Sequence, residues 1–125
     1  MKLIRITLLT FLLVLGFSSL VGAQSDEPLA IILTAEGPIM PPMLEYFQRG
    51  IKTAEQRNAE LLVIELNTPG GSIDTMLEII QNIRSSTVPV VVYVAPKNAI
   101  AGSAGALITM AGHASAMAPN TVIGA

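Results

Sequence analysis

The 125 residues carry 7 Lys and Arg against 9 Asp and Glu, a formal net charge of −2, and 51% of them are hydrophobic. There is no basic stripe and no interleaving of basic with aromatic residues, which excludes a nucleic-acid binder. With no cysteine and a single histidine, His113, neither a disulfide framework nor a thiolate metal site can form; the scattered carboxylates offer no metal-ligand spacing, and no cofactor is implied.

Met1 to Ala23 reads as a signal peptide. Lys2 and Arg5 give a positive start, Ile6 to Phe17 is almost wholly apolar, and Ser18 to Ala23 ends in small residues of the Ala-x-Ala type. The apolar core is shorter than the roughly 20 residues of a spanning helix, which favours cleavage after Ala23 over an uncleaved anchor. Residues 24–125 are then expected as one small domain on the extracytoplasmic side. Loss of Lys2 and Arg5 takes the net charge from −2 to −4.

After a polar lead-in from Gln24 to Pro28, Leu29 to Thr34 is a short apolar run with β-branched residues, a strand by length and composition. Pro41-Pro42 suits a first helical turn, and Leu44, Phe47, Ile51 and Ala54 recur at helical spacing, which predicts an amphipathic helix from about Pro42 to Asn58. Leu61 to Leu66 is a second strand. The loop Asn67 to Gly71 follows, and Ser72 caps a helix with an expected core face of Ile73, Met76, Leu77, Ile80 and Ile83. Val88 to Val94 is a third strand, followed by a loop to Ala101 and a helix of small residues from about Gly102 to Gly112. Ala114 to Ala118 is a fourth short strand, stopped by Pro119-Asn120.

Alternating strands and helices at this spacing predict βαβ units, a parallel sheet and right-handed crossovers. The richness in Ala, Ile, Val and Met is expected for strands buried on both faces. Functional loops belong at the carboxyl ends of the strands, and both unusual loops of this chain lie there. In Ala101-Gly-Ser-Ala-Gly105, one hydroxyl sits among residues with almost no side chain at a helix start, where free N–H groups gather. Alone, Ser103 reads more readily as a small residue that lets a helix approach a sheet, and Pro69-Gly70-Gly71 alone more readily as an ordinary turn. Together they make chemical sense as a nucleophile beside an anion-stabilising loop.

Asn67-Thr-Pro-Gly-Gly-Ser72, Ala101-Gly-Ser-Ala-Gly105 and the tail Ala116-Met-Ala-Pro-Asn-Thr-Val-Ile-Gly-Ala125 resemble, in order and spacing, the protease domain of the NfeD family, membrane-bound serine proteases of the ClpP class. The resemblance runs from about Leu29 to Ala125. It implies an α/β fold of the ClpP/crotonase type and a serine endopeptidase with a Ser–Lys dyad. Ser103 matches the nucleophile, Gly71 and Ala104 match the residues whose N–H groups form the oxyanion hole, and Pro69 and Gly70 shape the loop. It also implies an apolar peptide of a stomatin-type membrane protein as substrate, and membrane association through downstream segments.

The lysine of the family lies past Ala125, so the general base is left unassigned within these residues. His113, ten positions after Ser103, would be about 15 Å away along a shared helix and is expected to cap or pack. Lys97 is expected to be a solvated loop residue, and Asp74 and Glu78 to face solvent. A parallel sheet ending after a short fourth strand would leave apolar edges uncovered, which suggests the front part of a longer protein and a homo-oligomer. Two other readings stay open: a scaffold that keeps the fold without the base, and a crotonase-like acyl-thioester enzyme. An α/β-hydrolase is disfavoured, because Ser103 stands nine residues past Val94 and position 101 is Ala.

Overall fold

The computed structural model describes residues 27–124, so the expected leader, residues 1–23, lies outside the described residues. Four strands, β1 (Ala30–Glu36), β2 (Leu61–Asn67), β3 (Val90–Val94) and β5 (Ala114–Met117), form one sheet in the order β1-β2-β3-β5. Every pairing is parallel; Leu33 lies opposite Ile64, Leu66 opposite Val94, and Val94 opposite Met117. Three helices connect them: α1 (Pro41–Gln56), α2 (Ile73–Ser85) and α3 (Ala104–Ala111). This is the βαβ organisation that the alternation of apolar runs predicts.

The helices share one face of the sheet, where Leu33, Leu62, Ile64, Leu66, Val90, Val92 and Val94 meet Phe47, Ile51, Met76, Ile79, Ile83 and Ile108 in a single core. Expectation and structure differ on the opposite face. Ile32 and Thr34 are exposed there and Val63, Glu65, Val91 and Tyr93 half-buried, so among the described residues the strands are buried on one face rather than two. The alternating residues include Thr34, whose hydroxyl donates to the Glu65 carboxylate at 3.2 Å. A continuous apolar run does not by itself distinguish one covered face from two.

Local signals place the helices well. Pro41 and Pro42 open α1, whose buried stripe is Phe47, Ile51 and Ala54 with Leu44 half-buried. Ser72 is the N-cap of α2, its hydroxyl accepting from the Thr75 N–H at 3.3 Å, and Asp74 and Glu78 are exposed. The face of α2 is rotated from the expected one. Met76, Ile79 and Ile83 are buried with Thr75 and Ile80 is half-buried, while Ile73 and Leu77 are 69% and 54% exposed. At about 100° per residue the buried four share one arc and Ile73 and Leu77 fall beyond its edge. Apolar residues span too much of the circumference for spacing alone to choose.

The segment after β3 also differs. Two three-residue strands that the hydrophobic pattern does not reveal, β4 (Ile100–Gly102) and β6 (Val122–Gly124), pair in parallel as a separate small sheet. Consequently α3 starts at Ala104, not Gly102. Among the described residues no helix is long and apolar enough to cross a membrane.

The rotated face of α2 has a measurable consequence. Ile79→Ala should lower unfolding stability by about 2–5 kcal/mol, whereas Leu77→Ala should stay within about 0.5 kcal/mol. Denaturant unfolding of both variants compares them directly, and equal losses would contradict the observed face.

Candidate active site

Because β2 and β3 are neighbours with Leu66 opposite Val94, the segments that leave their carboxyl ends emerge side by side. Hydrogen bonds then join them. The Thr68 N–H donates to the Ile100 carbonyl at 2.7 Å, the Gly102 N–H to the Thr68 carbonyl at 2.9 Å, and the Ile100 N–H to Asn67 Oδ1 at 3.1 Å. Thr68 and Ala101 form a parallel bridge. The loop Asn67–Gly71 is thus paired to the strand that delivers Ser103.

Ser103 sits between β4 and α3 at φ 47° and ψ −112°, a region that a non-glycine residue adopts rarely and at a cost of about 1–3 kcal/mol. Its N–H is held by the Gly124 carbonyl at 2.6 Å, its side chain is exposed, and the hydroxyl makes no cap bond to α3. The strand that ends at Gly102 therefore feeds Ser103 directly into a strained turn, although Ser103 is the ninth residue past Val94 of the main sheet. The residue count argued against a strand-to-helix elbow. The structure contains one, built on the small sheet instead of the large one.

The paired glycines lie against this turn. Gly70 has φ +109°, and a methyl group built on it would stand 2.9 Å from Ser103 Cβ and 3.4 Å from the Ala104 nitrogen. Gly71 is wedged on the segment before α1: the Ile39 N–H donates to the Gly70 carbonyl at 2.9 Å, the Ser72 N–H to the Ile39 carbonyl at 2.8 Å, and a Cβ on Gly71 would collide with the Ile39 backbone. Only glycine fits there. Gly70 gives its own N–H to Thr68 Oγ1 at 3.1 Å. Among the described residues, the N–H groups of Gly71 and Ala104 have no acceptor. Free donors on two segments packed together beside an exposed hydroxyl can bind an anion that forms on an attacked carbonyl.

The other titratable candidates lie apart from this arrangement. Lys97 is exposed on the loop before β4. His113, just past α3, accepts the Val90 N–H on Nδ1 at 3.1 Å and donates its own N–H to the Val90 carbonyl at 2.9 Å, so it pins β5 against β3. Among the described residues no group of His, Asp and Glu is disposed to hold a metal ion. Sequence reasoning missed the side chains of Asn67 and Thr68 and the carbonyl of Gly124. Thr68 had a signal, since a Thr before Pro-Gly readily bonds its own backbone two residues on.

A family model described as NfeD1b, N-terminal domain, matches residues 31–125. The chain belongs to the NfeD1b N-terminal domain family. Over 121 residues it is 40% identical to the membrane-bound protease PH1510 of Pyrococcus horikoshii, covering 97% of this chain and 27% of that protein. Two solved structures of a membrane-bound stomatin-specific protease, 1510-N, share its fold. A lysine-to-alanine variant in complex with a substrate peptide superposes with a TM-score of 0.79 at 44% identity, covering 80% of this chain and 46% of that one. A serine-to-alanine variant gives 0.76 at 41% identity, over 78% and 47%. The NfeD1b-type chain described here thus spans about a quarter of the length of the curated relative and about half of the solved chains. Its α/β architecture is the ClpP-like fold of those proteases.

The contact between the two loops of this NfeD1b-type domain is directly testable. Gly70→Ala forces a methyl group against Ser103 at a left-handed φ and should cost about 1–3 kcal/mol in denaturant unfolding. Unchanged stability would contradict the close packing of Gly70 on the Ser103 turn.

Proposed function

We propose that this chain forms the nucleophile-bearing part of a serine endopeptidase of the membrane-bound NfeD/ClpP class. Ser103 Oγ attacks a peptide carbonyl carbon, and the N–H groups of Gly71 and Ala104 hold the oxyanion that forms. The observation that carries the reading is the meeting, beside an exposed serine in a strained turn, of two backbone N–H groups with no acceptor among the described residues. Pro69 and Gly70 shape the loop that carries the first donor.

A serine hydroxyl needs a base to take its proton. Lys97 is exposed on its loop and His113 is engaged with Val90, so neither is the choice. The proposed base is a lysine beyond Ala125, forming a Ser–Lys dyad. Support comes from the substrate peptide bound to a lysine-to-alanine variant of a relative. In the reaction the base takes the proton of Ser103 Oγ, Oγ bonds to the carbonyl carbon, and the C–N bond breaks as the proton passes to the leaving amine. Water, giving a proton to the base, then attacks the ester, the Oγ–acyl bond breaks to release the acid, and the proton returns to Oγ.

The description of the relatives as stomatin-specific supports an apolar peptide of a stomatin-type membrane protein as substrate. The description of the relatives as membrane-bound supports membrane association, with the catalytic domain on the extracytoplasmic side behind a signal peptide at residues 1–23. Assembly as a homo-oligomer belongs to the same proposal.

A fluorophosphonate probe applied to the full-length natural protein, followed by peptide mapping, should label Ser103. Ser103→Ala should abolish both labelling and peptide hydrolysis while retaining the fold, because its neighbours are themselves small. Residual turnover in that variant, or an adduct at another residue, would sink the assignment.

A further inference from the structure

The direction of the Gly71 N–H is set by the Gly70–Gly71 peptide plane. A trans peptide points its C=O and N–H to opposite sides, so whatever grips the Gly70 carbonyl also aims the Gly71 N–H. Gly70, at φ +109°, has no Cβ to resist rotation of that plane. Left to itself, the plane could turn and present a carbonyl oxygen where a donor is required.

Two groups hold it. One is the Ile39 N–H, which donates to the Gly70 carbonyl at 2.9 Å. The other is the Thr68 hydroxyl, which meets both peptide planes that flank Gly70: Oγ1 accepts the Gly70 N–H at 3.1 Å and donates to the Gly70 carbonyl at 3.4 Å. Thr68 is 1% exposed, and its methyl group packs where Gly105, in the first turn of α3, leaves room. Its backbone is also the point at which the loop is paired to Ala101. A residue held by its backbone on the β4 side and by its methyl group on the α3 side thus fixes the loop that faces Ser103.

We infer that Thr68 is a positioning residue for the oxyanion hole: its hydroxyl locks the Gly70–Gly71 peptide so that the Gly71 N–H stays free and directed at the site. It occupies the Gly70 N–H, which leaves Gly71 as the donor of the pair. The inference rests on the assignment of Ser103 as nucleophile. Thr68 touches no reacting atom; it acts through Gly70.

The test compares Thr68→Val, Thr68→Ala and Thr68→Ser in the full-length natural protein, with kcat and KM measured separately on a peptide substrate. Losing one oxyanion donor costs about 10²–10³ in rate. A donor that is misdirected part of the time should therefore lower kcat about tenfold to hundredfold in Thr68→Val and Thr68→Ala, with KM within about twofold. Thr68→Ser keeps the hydroxyl and should recover the rate. Binding of a peptide boronate, which forms a tetrahedral adduct with the serine, should weaken by the same factor as kcat. Binding of the parent peptide in a Ser103→Ala background should not change.

Wild-type kcat in Thr68→Val would overturn the inference, and so would Thr68→Ser impaired as much as Thr68→Ala, which would assign the effect to the methyl packing. If Thr68→Val does not fold, the Ala and Ser pair, which differ only in the hydroxyl, decides alone. Turnover surviving in Ser103→Ala overturns the nucleophile assignment instead, so the two failures are distinguishable.

Discussion

The pairing of Thr68 with Ala101 is the contact on which the site depends. Three backbone or side-chain hydrogen bonds, between 2.7 and 3.1 Å, join the segment that leaves β2 to the strand that leads into Ser103. Without them, a glycine loop and a serine turn would be two mobile segments at a sheet edge. With them, the Gly70 backbone is close enough to Ser103 that a single methyl group would not fit. The parallel sheet beneath supplies the precondition by setting β2 beside β3 in a register that brings both carboxyl ends to one level. The core packed by Leu66, Val94, Ile79 and Ile108 then holds that level fixed.

The site itself is mostly backbone. Apart from Ser103 and the side chains of Asn67 and Thr68, the polar atoms that meet there are main-chain N–H and C=O groups, and even those two side chains bond to backbone. Such a site needs little side-chain chemistry but close control of peptide planes, which explains the density of small residues from Ala99 to Ala106 and from Pro69 to Ser72. Small side chains let segments approach until backbone contacts backbone. The strain at Ser103 is tolerated because neighbours on both sides are committed, to Thr68 through Gly102 and to the helix through Ala104.

Much of this was legible in the sequence. Apolar runs of strand length, proline at the start of α1 and Ser72 at the start of α2 gave the βαβ plan and the edge at which the unusual loops would meet. The limits of that legibility are physical. β4 and β6 are three residues each, too short for any periodicity, and their partners are 22 positions away in the chain: Ile100 with Val122 and Gly102 with Gly124. The apolar residues of α2 wrap too far around the helix to name its buried side, which is why Ile79 was overlooked and Leu77 included. The covered face of the sheet depends on which side the crossovers take, a property of the assembled chain and not of any one strand. For Thr68 the local turn signal offered a bond to the Gly70 N–H, but not the second bond to the Gly70 carbonyl, whose direction is set by the tertiary contact with Ile39.

The bond from the Ser103 N–H to the Gly124 carbonyl has a mechanical meaning. In proteases where the nucleophile's own amide helps to bind the oxyanion, that N–H is turned toward the substrate. Here it is an anchor, tied at 2.6 Å to a strand outside the main sheet. Ser103 is thereby held from three sides, by α3, by Gly102 through its bond to the Thr68 carbonyl, and by the Gly124 carbonyl. The conformation of Ser103 and the path of residues 122–124 are thereby coupled directly, through the small sheet and not through the large one.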